Sequence, residues 1–312
     1  MLFSDAPRRV MINEVSVRDG FQSEPEFIPT EAKIRLIDRL SQTGLAKIEV
    51  TSFVSPKAIP NLRDAQEVMQ GIRRDPGVVY AALVPNERGA ERALECRVDE
   101  INLVMSVGET HNVANMRMTQ DMSLAQFRRV MALAEGTATH VNGCAATAFG
   151  CPFEGDQPVQ KVMDVVARYL EMGMHSITLA DTTGMASPRQ VGELCREFFR
   201  RYPQVPLTLH FHNTRGMGLA NVIAGLEAGA DSFDASLGGI GGCPFAPGAT
   251  GNICTEDMVH MLECCGVDTG IDLDLLLGIA RDLPAVVGHE VPGQIIRAGK
   301  VGDLHAKPLT ET

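Results

Sequence analysis

Two histidines one residue apart close an apolar run, Leu207-Thr208-Leu209-His210-Phe211-His212. If the run is a strand, successive side chains point to opposite sides. His210 and His212 then share a face with Thr208, and Leu209 and Phe211 share the other. Their Cα atoms would sit roughly 6.5–7 Å apart, close enough for both rings to reach one ion. A hydrogen-bonded pair in a polar corner would satisfy the two histidines taken alone. Other strand-like runs, however, end in chemistry of the same kind: Arg18-Asp19-Gly20, Glu49 and Asp181, with Asn252 closing a glycine-rich stretch. Carboxylate, carboxamide and imidazole with room for water suit a hard divalent ion, Mg²⁺ or Mn²⁺. The expected ligands are Asp19, His210, His212 and Asn252. Two histidines and a carboxylate also form a zinc set, so zinc is the less favoured alternative.

The glycine-rich stretch, GGIGGCPFAPGATG at 238–251, holds six glycines and two prolines. Cys243 lies in its middle, where the surrounding glycines allow close backbone approach and hinge motion. Such a loop could close over a site and bring the thiol to a substrate as acid or base. Cys151, in GCPFEG, is also placed to line the site.

Something must bring these residues together. Short β-type runs alternate eight times with amphipathic helical runs. The strands are expected at 10–17, 47–53, 78–85, 100–107, 140–149, 176–183, 206–213 and 231–239. Helices are expected at 29–44, 62–74, 86–96, 121–136, 157–172, 188–200, 216–228 and 255–265, with a further helix near 272–287. In the first of these, Ile34, Ile37, Leu40 and Leu45 make the apolar stripe, Thr30 marks the start and Gly44 the end. Eight β-then-α units without a flexible linker predict one (β/α)8 TIM barrel over about 10–265, with a C-terminal helical extension over about 266–312. A doubly wound sheet would favour a glycine-rich phosphate loop after strand one, where this chain has RDGFQ. In a barrel the catalytic groups belong at the C-terminal ends of strands, which is where the residues above fall.

Composition excludes several functions. A hydrophobic content of 45% with 21% charged residues is that of a globular chain. The 28 Lys and Arg against 39 Asp and Glu leave a formal charge of −11, unsuited to nucleic acid or an anionic membrane. An anionic substrate would need a local cation or a metal. The eight cysteines include no C-x-x-C pair and fit reduced thiols in the cytoplasm. No run of about 18 apolar residues predicts a membrane span.

Several motifs together resemble the 3-hydroxy-3-methylglutaryl-CoA lyases, within the metal-dependent lyase and condensing-enzyme superfamily of TIM barrels. They are VSVRDGFQSE (15–24), IEVTSFVSPKAIPNLRD (48–64), GCPFEG (150–155), LADTTG (179–184), HFHNTRGMGLAN (210–221) and GGIGGCPFAPGATGNICTEDMVHML (238–262). The resemblance extends over about 10–287. It implies that Asp19, His210, His212 and Asn252 are the metal ligands and that Arg18 stabilises an acyl-CoA enolate. It implies active-site roles for Glu49 and Asp181, proton transfer by His210, a loop cysteine at Cys243 and support of the loop end by Glu256. Gln22 and Thr178 are taken as substrate-binding or supporting positions. The implied reaction is a retro-Claisen cleavage of an acyl-CoA substrate by a cytoplasmic homodimer.

The chain departs from the family pattern in three places. Asn213-Thr214-Arg215-Gly216 stands where Asp-Thr-Tyr-Gly is usual, Phe21-Gln22-Ser23-Glu24 where Leu-Gln-Asn-Glu is usual, and Ala180 where a glycine is common. Arg215 is therefore expected as an extra cation near the mouth, for a second carboxylate or a CoA phosphate. The rival readings are a lyase for another branched 3-hydroxyacyl-CoA, such as a citramalyl-CoA-like substrate, and a Claisen condensing enzyme. Condensing relatives carry a further domain after the barrel, and here 60 residues follow ATGN. An aldolase for a non-CoA acid is disfavoured by the GGCP loop, and a silent binding protein by the complete ligand set.

Overall fold

The computed structural model describes residues 9–242 and 251–304. Eight parallel strands close a barrel: β1 (Met11–Glu14), β2 (Lys47–Ser52), β3 (Val79–Leu83), β4 (Glu100–Ser106), β5 (His140–Ala146), β6 (Ser176–Asp181), β7 (Leu207–Phe211) and β8 (Ser232–Ala235). Each pairs with its sequence neighbours, and β1 pairs with β8 to close the ring. The expected (β/α)8 architecture is present. Helices wrap the outside and bury the apolar outward face of every strand, as Ile48, Val50, Ile101, Leu103, Leu209 and Phe233 illustrate. Each such side chain stabilises the fold by about 1.5–3 kcal/mol relative to exposure.

The helix Thr30–Leu40 shows how local pattern and packing combine. Its buried face is Lys33, Leu36, Ile37 and Leu40, spaced three and four apart, whereas Ile34 is only half-buried. Lys33 can occupy a core position because its Nζ donates to Asp64 Oδ1 at 2.7 Å and to the Asn61 carbonyl at 2.6 Å. Those bonds, with Thr30 Oγ1 to Asp64 Oδ2 at 2.8 Å, fasten the long loop after β2 to the helix. That loop carries Ser55, Lys57 and Ile59 to the barrel mouth.

Four differences from the sequence reading have physical causes. β1 ends at Glu14, and Ser16–Gly20 forms a π-helical turn in which Asp19 N–H and Gly20 N–H both donate to the Val15 carbonyl. The extra residue of such a wide turn is what points both Arg18 and Asp19 at the lumen. A helix at Glu109–Met116 escapes the periodicity because its apolar content is sparse, and it ends at Arg117 with φ 55°. A two-residue hairpin pairs Gly150–Cys151 with Gly155–Asp156. The expected helix near 272–287 divides into Leu273–Ala280 and Leu283–Val287, because Pro284 has no N–H to continue the ladder. Among the described residues no helix is long and apolar enough to cross a membrane.

Candidate active site

A TIM-barrel lumen is ordinarily filled by layers of branched apolar side chains. Here many of the inward positions of the strands are polar, and they line a cavity of about 1250 Å³ at the C-terminal end. Asn13, Lys47, Glu49, Asn102, Asn142, Thr178, His210 and Asp234 all face it, joined by Arg18, Asp19, Gln22 and His212 from the turns beyond. Buried side-chain bonds knit the wall together. Asn102 Nδ2 donates to Glu49 Oε1 at 2.7 Å, and Asn142 Nδ2 donates to Asn102 Oδ1 and to Thr178 Oγ1, both at 3.0 Å. Lys47 pairs with Glu100 deeper in the barrel.

Arg18 lies between two carboxylates. Its Nε donates to Glu49 Oε2, and its Nη1 donates to Asp19 Oδ1 at 2.6 Å. Burial works against its charge, but Glu49 and Asp19 more than offset that and keep the guanidinium protonated. Burial likewise disfavours the Asp19 carboxylate, yet Arg18, His212 and His210 hold it well below the usual range. A charge-assisted pair of this kind is rigid as well as strong, because the planar guanidinium fixes both acids at once.

Asp19, His210 and His212 each bring one ligand atom within 4.8 Å of the others. His212 Nε2 lies 3.8 Å from Asp19 Oδ2, and the two imidazole centroids are 5.2 Å apart. Burial, followed by the neighbouring His210, lowers the His212 pKa to about 4, so the ring is a neutral imidazole with a lone pair available.

Asn252 joins this group through the backbone. It bridges to His212, while Ile253 N–H donates to the Phe211 carbonyl at 3.1 Å and Asn213 N–H donates to the Gly251 carbonyl at 2.9 Å. The segment thus extends the sheet past the end of β7. Asn252 Nδ2 donates to Asp19 Oδ2 at 2.8 Å, and Asn252 Oδ1 is buried with no hydrogen-bond partner. An orphaned carbonyl oxygen on a residue that bonds Asp19 and bridges to His212 is the kind of further oxygen donor a divalent ion held by this cluster would take. Glycine is required around it: a Cβ on Gly241 would stand 2.7 Å from Asn252 Nδ2, and one on Gly251 2.3 Å from the Gly239 and Gly241 carbonyls.

The remaining expected residues divide. Gln22 and Thr178 line the cavity. Asp181 does not. It alternates with Ala180 and Thr182, which do, and so points outward. Its Oδ1 accepts from Met185 N–H at 2.7 Å and Ala186 N–H at 3.0 Å, and its Oδ2 is buried without a partner. Burial outweighs those two amides and raises the Asp181 pKa to about 6. Arg215 is exposed and grips the same loop from the other side, donating to the Thr183 carbonyl at 3.1 Å and the Gly184 carbonyl at 2.8 Å. The departure at 213–216 therefore acts on a loop, and Arg215 is not part of the cavity wall. Glu256 lies outside the lumen, where both its oxygens accept from Gly238 N–H at 3.1 Å. Cys151 is buried in the hairpin away from the wall, and among the described residues the thiol that lines the cavity is Cys144. Cys243 lies outside the described residues.

The sequence reading missed Asp234, Asn13, Asn102 and Asn142. Their signal was the alternation of polar residues along each strand, as in Ser232-Phe233-Asp234, where every second residue is polar.

Comparison with known proteins agrees with this geometry. The family model described as HMGL-like matches residues 9–283. Hydroxymethylglutaryl-CoA lyase YngG of Bacillus subtilis is 44% identical over 94% of this chain and 98% of its own. The (R)-citramalyl-CoA lyase of Chloroflexus aurantiacus is 39% identical over 94% of this chain and 95% of its own. A solved HMG-CoA lyase of Acinetobacter baumannii, in complex with coenzyme A and 3-methylmalate, is 53% identical. It covers 99% of this chain and 100% of its own, with a TM-score of 0.93. With its barrel and most of its length matched, this chain belongs to the HMGL-like family.

Proposed function

We propose that this chain is a divalent-metal-dependent carbon–carbon lyase that cleaves 3-hydroxy-3-methylglutaryl-CoA to acetyl-CoA and acetoacetate. The observation that carries the reading is Arg18 fixed beside the Asp19–His210–His212 cluster inside one polar cavity. The supporting fact is that relatives matching nearly end to end are named as lyases of this substrate.

The ion would be held by Asp19, His210, His212 and Asn252 Oδ1, with Mg²⁺ or Mn²⁺ preferred over zinc. When bound, it supplies the Lewis acidity that makes the tertiary hydroxyl of the substrate easier to deprotonate. As the bond between C2 and C3 breaks, its electrons pass into the thioester as an enolate. Arg18 is already charged and already oriented by Glu49, so it can meet that negative charge without reorganising. Glu49 acts by holding Arg18. His210 turns Nδ1 toward Asp234, which leaves Nε2 as its one nitrogen for the ion or for a proton. If Nε2 binds the ion, the proton must be moved by another group, for which Cys243 is the candidate. The enolate is finally protonated at C2 to give acetyl-CoA, and the former hydroxyl carbon leaves as the ketone of acetoacetate. We place the enzyme in the cytoplasm, as one barrel domain that pairs into a homodimer.

A second reading is supported by the citramalyl-CoA lyase relative: a different branched 3-hydroxyacyl-CoA as preferred substrate. The deciding experiment treats purified protein with a chelator, restores Mg²⁺ or Mn²⁺, and assays a panel of such thioesters. Cleavage should vanish with chelation and return with the ion, fastest for 3-hydroxy-3-methylglutaryl-CoA. Failure to cleave any of them with metal present would overturn the lyase reading.

A further inference from the structure

His210 and His212 share a strand face but have different surroundings. His212 Nδ1 is buried and meets no hydrogen-bond partner. His210 Nδ1 faces Asp234 Oδ2 at 3.2 Å. The other oxygen of that carboxylate accepts from Asn13 Nδ2 at 2.9 Å. The same amide nitrogen reaches Ser232 Oγ at 3.2 Å, which lies 3.0 Å from Thr208 Oγ1. Strand register explains the row: Asn13 sits opposite Asp234 on β1 and β8, and Asp234 sits opposite His210 on β8 and β7.

A neutral imidazole carries its proton on one nitrogen only. A carboxylate at Nδ1 accepts a hydrogen bond and cannot donate one, so Nδ1 keeps the proton and Nε2 keeps the lone pair. Asp234 is not itself in the cluster: the carboxylate, imidazole and thiol atoms mutually within 4.8 Å among the described residues are those of Asp19, His210 and His212. A carboxylate behind a ligand histidine fixes the ring plane and makes the ligand nitrogen more basic.

We propose that Asp234, held in turn by Asn13, is a positioning residue that sets the tautomer and orientation of His210 and so the divalent-ion affinity of the site. This rests on the metal reading of the Asp19–His210–His212 cluster.

The test reads Mn²⁺ binding to the full chain, stripped with chelator and free of substrate, by electron paramagnetic resonance of the free ion. Asp234→Ala should lose about 10- to 100-fold in Mn²⁺ affinity with unchanged circular dichroism. Asp234→Asn should also weaken binding, because its NH₂ must face either His210 Nδ1–H or Asn13 Nδ2, and both are donors. The swap Asn13→Asp with Asp234→Asn restores an acceptor toward His210 and a donor toward residue 13. It should recover affinity to within about threefold of wild type, an outcome that a merely space-filling role for Asp234 would not produce. Wild-type affinity in Asp234→Ala, or a swap no better than Asp234→Asn alone, overturns the proposal. A wild-type chain that fails to bind Mn²⁺ at all overturns the metal reading, and the proposal with it.

Discussion

Asp19 and Glu49 on one side, and Glu14 and Glu256 on the other, are acids near the same end of the barrel, all buried but the half-buried Asp19, with opposite neighbours. The first pair faces the cavity and is bound to a guanidinium. The second pair lies between barrel and helices and is bound mainly to backbone. Glu14 Oε1 accepts from Ser16 N–H at 2.8 Å and Leu237 N–H at 2.9 Å, and its Oε2 accepts from Thr255 Oγ1 at 2.8 Å. Burial raises the pKa of both Glu14 and Glu256, the latter to about 7, despite the amides that favour their charge. An acid satisfied by amides of its own scaffold has little capacity left for a substrate. Its work is to hold the turn at 237–239, on the chain leading toward Asn252. Burial raises the Glu49 pKa too, against the pull of Arg18, so of these four acids Asp19 is the one that Arg18 and the two histidines hold below the usual range. Asp181 stands between the two kinds, with one oxygen on loop amides and the other unpartnered.

The sharpest test of this contrast is Arg18→Gln. It removes the cation facing the cavity and leaves Asp19 and Glu49 without their common partner. Steady-state turnover should fall by about 10²- to 10³-fold while the protein remains folded. A loss under tenfold would mean that the cavity-facing group is architectural too.

A smaller effect on function, and a larger one on folding, is expected from Glu14→Ala. Three buried donors lose their acceptor, which should destabilise the protein by roughly 3 kcal/mol in a denaturant titration. The KM of the folded fraction should stay near wild type. An unchanged midpoint would show that the turn is held by other contacts.

The smallest effect concerns pH. The folded Glu256 carboxyl titrates near 7, above its ordinary value of 4.5, so the folded state holds this proton more tightly than the unfolded chain. Its contribution is therefore fully present at low pH and is lost as pH rises through about 7. Glu256→Gln should shrink the stability difference between pH 5 and pH 8, measured by urea unfolding at each. An identical difference in variant and wild type would remove Glu256 from the list of groups that titrate with folding.

Much of this was legible from residue order alone, for a reason that also marks the limit. Strand periodicity is local, so His210 and His212 could be placed on one face and the eight units counted without any long-range information. The same parity could have placed Asp181 outward, since Thr178, Ala180 and Thr182 share the inward face with each other and not with it. Arg215 was harder, because only the path of the 183–186 loop shows that its nearest acceptors are two carbonyls 31 and 32 residues earlier. Nothing in the local sequence marks Lys33 as buried, because its partners Asp64 and Asn61, within 2.7 Å of its ammonium group, lie about 30 residues away.

The chain order thus determined the barrel, the strand ends that could carry chemistry and the family to which they belong, because these depend on spacing within a few residues. Only the closed barrel decided which polar side chains meet. Asn13 and Asp234 are 221 residues apart, and Asn252 and Asp19 are 233 apart, yet each pair lies within 2.9 Å. Sheet register sets the first distance, and the backbone bridge beside His212 sets the second. A hydrogen bond is a short-range, directional contact, and nothing in the linear spacing encodes which distant partners the folded chain brings into line.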